Sequence, residues 1–182
     1  MFKTVLSEAK ESGVPISLYT DSEDTARFAF GFVLGLSDDA VLIGSITPYG
    51  FYDGYTVRRL QDIYRVERGD RYGCRLLKLY ALHDQLHPSL PLTGDLFRDV
   101  LSFSRKSRLA VSIELMDSDC DDVQGFVSDV QGMAAVIEQV SDDGEPDGET
   151  VIAVGDITCI TCDAEKETAL KLLFESRPPR EG

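Results

Sequence analysis

A mainly β chain with helices, folded as one small β-barrel unit written twice, is the fold class this sequence predicts. Three observations carry the prediction. The first is an internal repeat: Gly31-Phe32-Val33 returns as Gly125-Phe126-Val127, Asp53-Gly54 as Asp147-Gly148, Asp62-Ile63 as Asp156-Ile157 and Leu76 as Leu170, all 94 residues apart. A fixed period of this kind points to a duplicated structural unit before any local reading does. The second is the run of short, alternating apolar segments inside each copy, which suits strands of a small barrel or sandwich. The third is a helix-spaced apolar stripe at both ends of each copy.

The opening helix of copy one carries Phe2, Val5, Leu6 and Ala9 on one stripe and stops at Ser12-Gly13. Leu96, Phe97, Val100, Leu101 and Phe103 repeat that stripe after Thr93-Gly94-Asp95, a suitable cap. These helices match at an offset of 95, so a one-residue length change is expected between helix and barrel, in 20–27 against 117–122.

Strands follow. In copy one they are expected at Ile16 and Leu18, then at 28–36, 40–46, 55–60 and 63–66; in copy two at 109–115, 123–130, 134–140, 150–154 and 157–160. Gly31 and Gly35 interrupt the second strand, as a sharply bent strand requires. Asp53-Gly54 and Asp147-Gly148 read as turns. Closing helices are expected over 72–86 and 164–176. The resulting domain plan is 1–90 for the first unit, 93–177 for the second and a flexible tail at 178–182. Units this small bury limited cores and are expected to pack on each other.

Charge is divided unevenly. The formal net charge is −14; residues 1–92 carry 10 Lys/Arg against 12 Asp/Glu, and residues 93–182 carry 8 against 20. Such acidity repels phosphate backbones wherever basic residues are not clustered, and DNA is not an expected partner. No segment reaches the ~20 apolar residues of a membrane span. Four cysteines in 182 residues make no disulfide framework, and the expectation is a cytoplasmic protein with reduced thiols, no membrane association and no cofactor.

The segment from Gly31 through Gly35-Leu36-Ser37-Asp38-Asp39 to Ala40-Val41-Leu42, preceded by a helix and followed by further short strands, resembles the first motif of the Sm/Lsm family of SH3-type small barrels; Gly125 to Val136 is similar. The resemblance implies tandem Sm-like barrels. It does not extend to the residues with which that family holds uridine. The sequence has no Asn, and Ile63 and Ile157 are followed by Tyr64-Arg65 and Thr158-Cys159 in place of the Arg-Gly type of pair. Fold therefore does not carry function across. The closing helix departs from the family pattern too.

Four clusters invite a chemical reading. Tyr49, Phe51, Tyr52 and Tyr55 flank Gly50 and Gly54, next to a stripe of Arg58, Arg59, Arg65, Arg68, Arg71, Arg75 and Lys78 that Asp62, Glu67 and Asp70 only partly offset. Aromatic rings beside basic residues suit stacked bases or a gripped peptide; the alternative is that the rings cover an interface between the two units. Copy two replaces the loop with Ser141-Asp142-Asp143-Gly144-Glu145-Pro146, so any site belongs to copy one alone. Asp117-Ser118-Asp119-Cys120-Asp121-Asp122 starts like a calcium loop but has Asp122 where Gly is needed and Ser128 where Glu is needed. Cys159 and Cys162 lack a second ligand pair, and residues three apart on a strand face opposite ways. His83 and His87 share a helical face but lack a third ligand, so no metal site is expected.

No catalytic triad or phosphate loop can be assembled. The leading expectation is a non-enzymatic interaction module for a protein partner or for itself. The competing one is single-stranded RNA binding through Tyr49, Phe51, Tyr52, Tyr55, Arg58, Arg59 and Arg65; an enzyme with a pocket between the copies is a third.

Overall fold

The structure, a computed structural model, describes residues 2–24, 28–116, 118 and 122–177. The chain is mainly β, with ten strands in open antiparallel sheet and four α-helices among the described residues. It divides into two compact units, residues 1–99 and 100–182.

In the first unit, α1 (Phe2–Ser12) leads into β1 (Ile16–Tyr19), β2 (Ala29–Leu36), β3 (Ala40–Ile46), β4 (Tyr52–Arg59), a 3-10 turn (Leu60–Asp62), β5 (Arg65–Arg68) and α2 (Arg71–Leu82). The strand order is β5-β1-β2-β3-β4. α1 ends because Gly13 turns left-handed, at φ 64°. α2 starts where the Asp70 carboxylate accepts the Gly73 N–H at 3.1 Å.

Two apolar layers hold this unit together. Leu6 and Ala9 of α1 pack on Ile16, Leu18, Val33, Val41, Ile43 and Ile63. Leu76 and Tyr80 of α2 pack on Phe30 and Ile46. β3 is buried along its whole length because both layers use it. Each fully buried aliphatic chain contributes about 1.5–3 kcal/mol.

The second unit repeats the plan. α3 (Leu96–Ser107) begins at the end of the first unit and continues into the second, followed by β6 (Ala110–Leu115), β7 (Val123–Gln131), β8 (Ala134–Val140), β9 (Pro146–Ala153), a 3-10 turn (Val154–Asp156), β10 (Ile157–Cys162) and α4 (Glu165–Glu175). Its strand order is β10-β6-β7-β8-β9.

The repeat extends to register. Phe32 faces Gly44 and Phe126 faces Glu138; the ladder shifts between Val33 and Gly35, and again between Val127 and Asp129. β1 and β6 keep the helix offset: Ile16 pairs with Gly31, and Val111 with Gly125. The one-residue length change therefore falls between the first and second strand of each copy, in the segment the sequence singles out.

Several boundaries move. β4 begins at Tyr52, which pairs with Ile46, and the reversal lies in residues 47–51. Asp53-Gly54 is not a turn: these two β4 residues oppose the single β3 residue Ser45, and Gly54 sits at φ 66°. A bulge needs a left-handed residue just as a turn does, and glycine serves both. Gly148 in β9 repeats it, at φ 87°. α2 stops at Leu82 instead of Leu86, with Asp84 left-handed at φ 51°. Among the described residues neither five-strand order closes by pairing its two end strands. The closed barrels expected from the sequence are thus not what the backbone ladders build. The expected tail at 178–182, and Asp117, Asp119, Cys120 and Asp121 of the calcium-like segment, lie outside the described residues.

Candidate functional site

The loop between β3 and β4 is a tight reversal. The Thr47 N–H donates to the Phe51 carbonyl and the Gly50 N–H to the Thr47 carbonyl, each at 2.9 Å. The Thr47 hydroxyl accepts from the Phe51 N–H at 3.1 Å. Gly50 has φ 81°, and a Cβ there would lie 2.4 Å from Leu79 Cβ, so the loop presses its backbone onto α2. That contact fixes the position of the aromatic side chains on either side.

Tyr49 and Phe51 point outward, 74 % and 44 % exposed. Phe51 stacks on His83, with ring centroids 4.1 Å apart and planes 19° from parallel. Leu82, the residue before His83, and Leu86 are 71 % and 81 % exposed. Arg75 reaches the Pro48 carbonyl at 3.4 Å. This end of the first unit is an apolar and aromatic surface with basic α2 residues at its flank.

Tyr52 and Tyr55 turn the other way. With Phe32 and Tyr80 they surround His87, at centroid distances between 4.8 and 6.2 Å. His87 Nε2 lies 2.9 Å from the Ser45 carbonyl, which can only accept, so Nε2 carries the proton. Nδ1 then accepts from the Tyr80 hydroxyl at 2.8 Å. Burial among the rings pushes His87 below its ordinary pKa, while bonds to the Ser45 and Gly54 backbone and the nearby Asp53 act the other way. The Tyr55 hydroxyl donates to the Pro88 carbonyl at 2.5 Å, and the Tyr52 N–H to Gln85 Oε1 at 3.1 Å. The segment after α2 is therefore clasped onto β3 and β4. Gly44 is what admits the imidazole: a Cβ there would lie 2.8 Å from His87 Cδ2.

Apart from Arg75, the arginines placed here do not join the aromatic loop. Arg58 and Arg59 lie at the far end of the eight-residue β4, about 20 Å of strand from Tyr52. Arg59 binds Asp39 at 2.5 Å and covers the Phe97 ring at 4.3 Å. Arg65 is on β5, at the opposite end of the strand order. It pairs with Glu67 and covers Tyr19 at 4.6 Å. The Tyr19 hydroxyl and the Arg65 guanidinium hold the Glu67 carboxyl below its ordinary range. Arg68 binds Glu8 at 2.8 Å. The basic stripe of the sequence is thus divided between two strands and a helix.

His83 and His87 are not a ligand pair, since α2 ends before either and both His87 nitrogens are engaged. Cys159 and Cys162 are buried in β10. Among the described residues no group of three or more His, Cys, Asp or Glu is placed to hold a metal ion, and no helix is long and apolar enough to cross a membrane. The clasp around His87 is the feature that sequence reasoning missed; Pro88 so soon after His87 was the available sign that the helix could not continue.

No protein-family profile matches this chain, and neither a curated protein nor a solved structure matches it.

Proposed function

We propose that this chain is a non-enzymatic interaction module of the cytoplasm, built from two Sm-like units with open sheets, and that its partner is a protein seated on the loop end of the first unit. The repeated strand registers and the shared bulges support the duplicated fold. The observation that carries the function is a control inside the chain. The turn at residues 47–51 recurs at 141–145 with the same backbone bonds, Ser141 to Glu145 and Gly144 to Ser141, each at 2.8 Å. Gly144 presses on Leu173 as Gly50 presses on Leu79. Yet the second copy builds this turn with Asp143 and Glu145 where the first has Tyr49 and Phe51, and ends its helix with Ser176 where the first has Leu82. The fold does not need those exposed apolar side chains. Surface of that kind, kept where polar residues suffice, suits a binding face.

A second reading, single-stranded RNA binding, draws on the exposure of Tyr49 and on Arg75 beside it, since an exposed ring next to a cation suits base stacking. The pairing of Arg59, Arg65 and Arg68 with carboxylates counts against it.

A photo-reactive phenylalanine analogue at position 49 of the full chain, with position 143 as the matched control, tests both. Protein adducts from position 49 alone support the interaction module. Nucleic-acid adducts replace it with the RNA reading. Equal labelling from 49 and 143 removes both.

A further inference from the structure

The second unit leaves open a sheet face that the first unit covers with its own chain. In the first unit one face of β2, β3 and β4 carries two rows, Phe32-Gly44-Tyr55 and Gly35-Leu42-Val57. The segment after α2, neither helix nor strand over 85–93, crosses both. A Cβ at Gly44 would lie 2.8 Å from His87 Cδ2 and one at Gly35 3.1 Å from Leu92 Cδ1. The Tyr55 hydroxyl holds the Pro88 carbonyl between them. The equivalent rows of the second unit are Phe126-Glu138-Glu149 and Asp129-Val136-Val151. Here Glu138 and Glu149 are exposed and Val151 is 65 % exposed, where Gly44, Tyr55 and Val57 are buried.

The changed residues define what such a face accepts. Glycine at 35 and 44 lets apolar side chains approach the backbone, whereas Asp129 and Glu138 fill that space and present charge. Glu138 stands directly opposite Glu149 on the neighbouring strand, a like-charge pair that is unfavourable unless a cation lies between the two. The chain's own basic residues nearby pair with other carboxylates, Arg105 with Asp129 and Arg177 with Glu145. Among the described residues neither Glu138 nor Glu149 has an ion-pair partner.

We propose that this face of β7, β8 and β9 binds an extended segment of a partner protein, with an arginine between Glu138 and Glu149 and a leucine five residues later beside Val136 and Val151. His87 and Leu92 set that spacing on the first unit. Arginine is preferred to lysine because its planar fork meets two carboxylates at once. Nucleic acid is repelled, since its phosphates would face the glutamates. The loop end of the first unit plays no part in this contact.

A fluorescein-labelled peptide of residues 85–93 carrying His87→Arg, titrated with the full chain and followed by anisotropy, tests the proposal. It is expected to bind with a Kd of about 100 µM that weakens as salt rises. Amide shifts of the wild-type chain are expected to change most at Val136, Glu138, Glu149 and Val151. The variant Glu138→Lys with Glu149→Lys is expected to bind this peptide at least tenfold more weakly and to take up a peptide carrying His87→Glu. That exchange separates the contact from any loss of folding. No binding below about 1 mM overturns the proposal, as do shifts centred on Gly44 and Tyr55. A folded double variant that keeps the arginine peptide, or takes neither, overturns it too. Shifts that follow the chain's own concentration would give the face to a second copy, and binding gained only on removing residues 178–182 would give it to the chain's own end; either result overturns the partner proposed.

Discussion

Phe51 lies flat on His83 at 4.1 Å, and the residues 94 positions later, Glu145 and Arg177, form an ion pair at 3.7 Å. One geometric relationship, loop tip to helix end, is closed by stacking in one copy and by charge in the other. Arg177 also covers the Phe174 ring at 3.8 Å. The stack is exposed and the ion pair is half-exposed, with Arg177 at 22 %, and each is worth little beside the glycine contact that seats the loop.

The first prediction follows from that equivalence. Phe51→Glu with His83→Arg places the second copy's pair on the first copy's frame. The double variant is expected to fold with stability within about 1 kcal/mol of wild type, since exposed ion pairs contribute about 0.2–1 kcal/mol. Its melting temperature should fall as salt rises, because screening weakens the new pair. A loss of several kcal/mol in thermal melts would mean that the stack supports the fold.

His87 sets a pH dependence. Burial holds its folded pKa below the unfolded value of about 6.5. Above that value both states are neutral and stability is complete. As pH falls below it, the unfolded chain takes up a proton that the folded state resists, so stability declines down to the folded pKa. Chemical denaturation at a series of pH values should show this slope in the wild type. His87→Ala should lower stability by about 2–4 kcal/mol at neutral pH, through the lost ring and two lost hydrogen bonds, and should flatten this part of the profile. An unchanged slope in the variant would place the pH dependence elsewhere.

Gly44→Ala pushes a methyl group against His87 and Leu34, both at 2.8 Å. Overpacking of this kind costs about 1–3 kcal/mol. The equivalent residue, Glu138, is exposed, so Glu138→Ala is expected within about 0.5 kcal/mol of wild type. Equal effects at the two positions, read from denaturant midpoints, would argue that the clasp is not what Gly44 serves.

Gly31 and Gly125 should behave alike where Gly44 and Glu138 do not. At each, a Cβ would lie 2.0 Å from a carbonyl oxygen, of Gly44 in one copy and Glu138 in the other. Backbone cannot yield as a side chain does. Alanine at either is expected to cost more than about 3 kcal/mol or to abolish soluble expression. A mild effect at one of them would mean that the two units bend their second strand for different reasons.

Elements repeated at a constant offset were legible without coordinates. The apolar stripes of α1 and α3, the β3 and β8 segments and the site of the one-residue length change follow from periodicity alone. Asp53-Gly54 was legible as a demand for a left-handed residue, but turn and bulge make the same demand, and only the pairing of Tyr52 with Ile46 separates them. The helix α2 ends earlier than its spacing of Leu76, Leu79, Tyr80 and His83 suggests, because His87 is held by β3 and β4 instead of by a continued helix.

The candidate site divided in the same way. The sequence put Tyr49, Phe51, Tyr52 and Tyr55 in one cluster because they are close along the chain. Strand alternation and the bulge send Tyr55 inward to the His87 clasp and leave Tyr49 outside. The basic stripe dissolved for the related reason that β4 and β5, three residues of turn and two linking residues apart in sequence, occupy opposite ends of the strand order.

By itself the sequence determined that one unit is used twice, the order of its helices and strands and which copy carries the aromatic loop, because periodicity and composition are local properties. Which rings are buried, which arginines meet carboxylates and which glycines bear close contacts were decided only by the tertiary structure, because each depends on a partner distant in the chain.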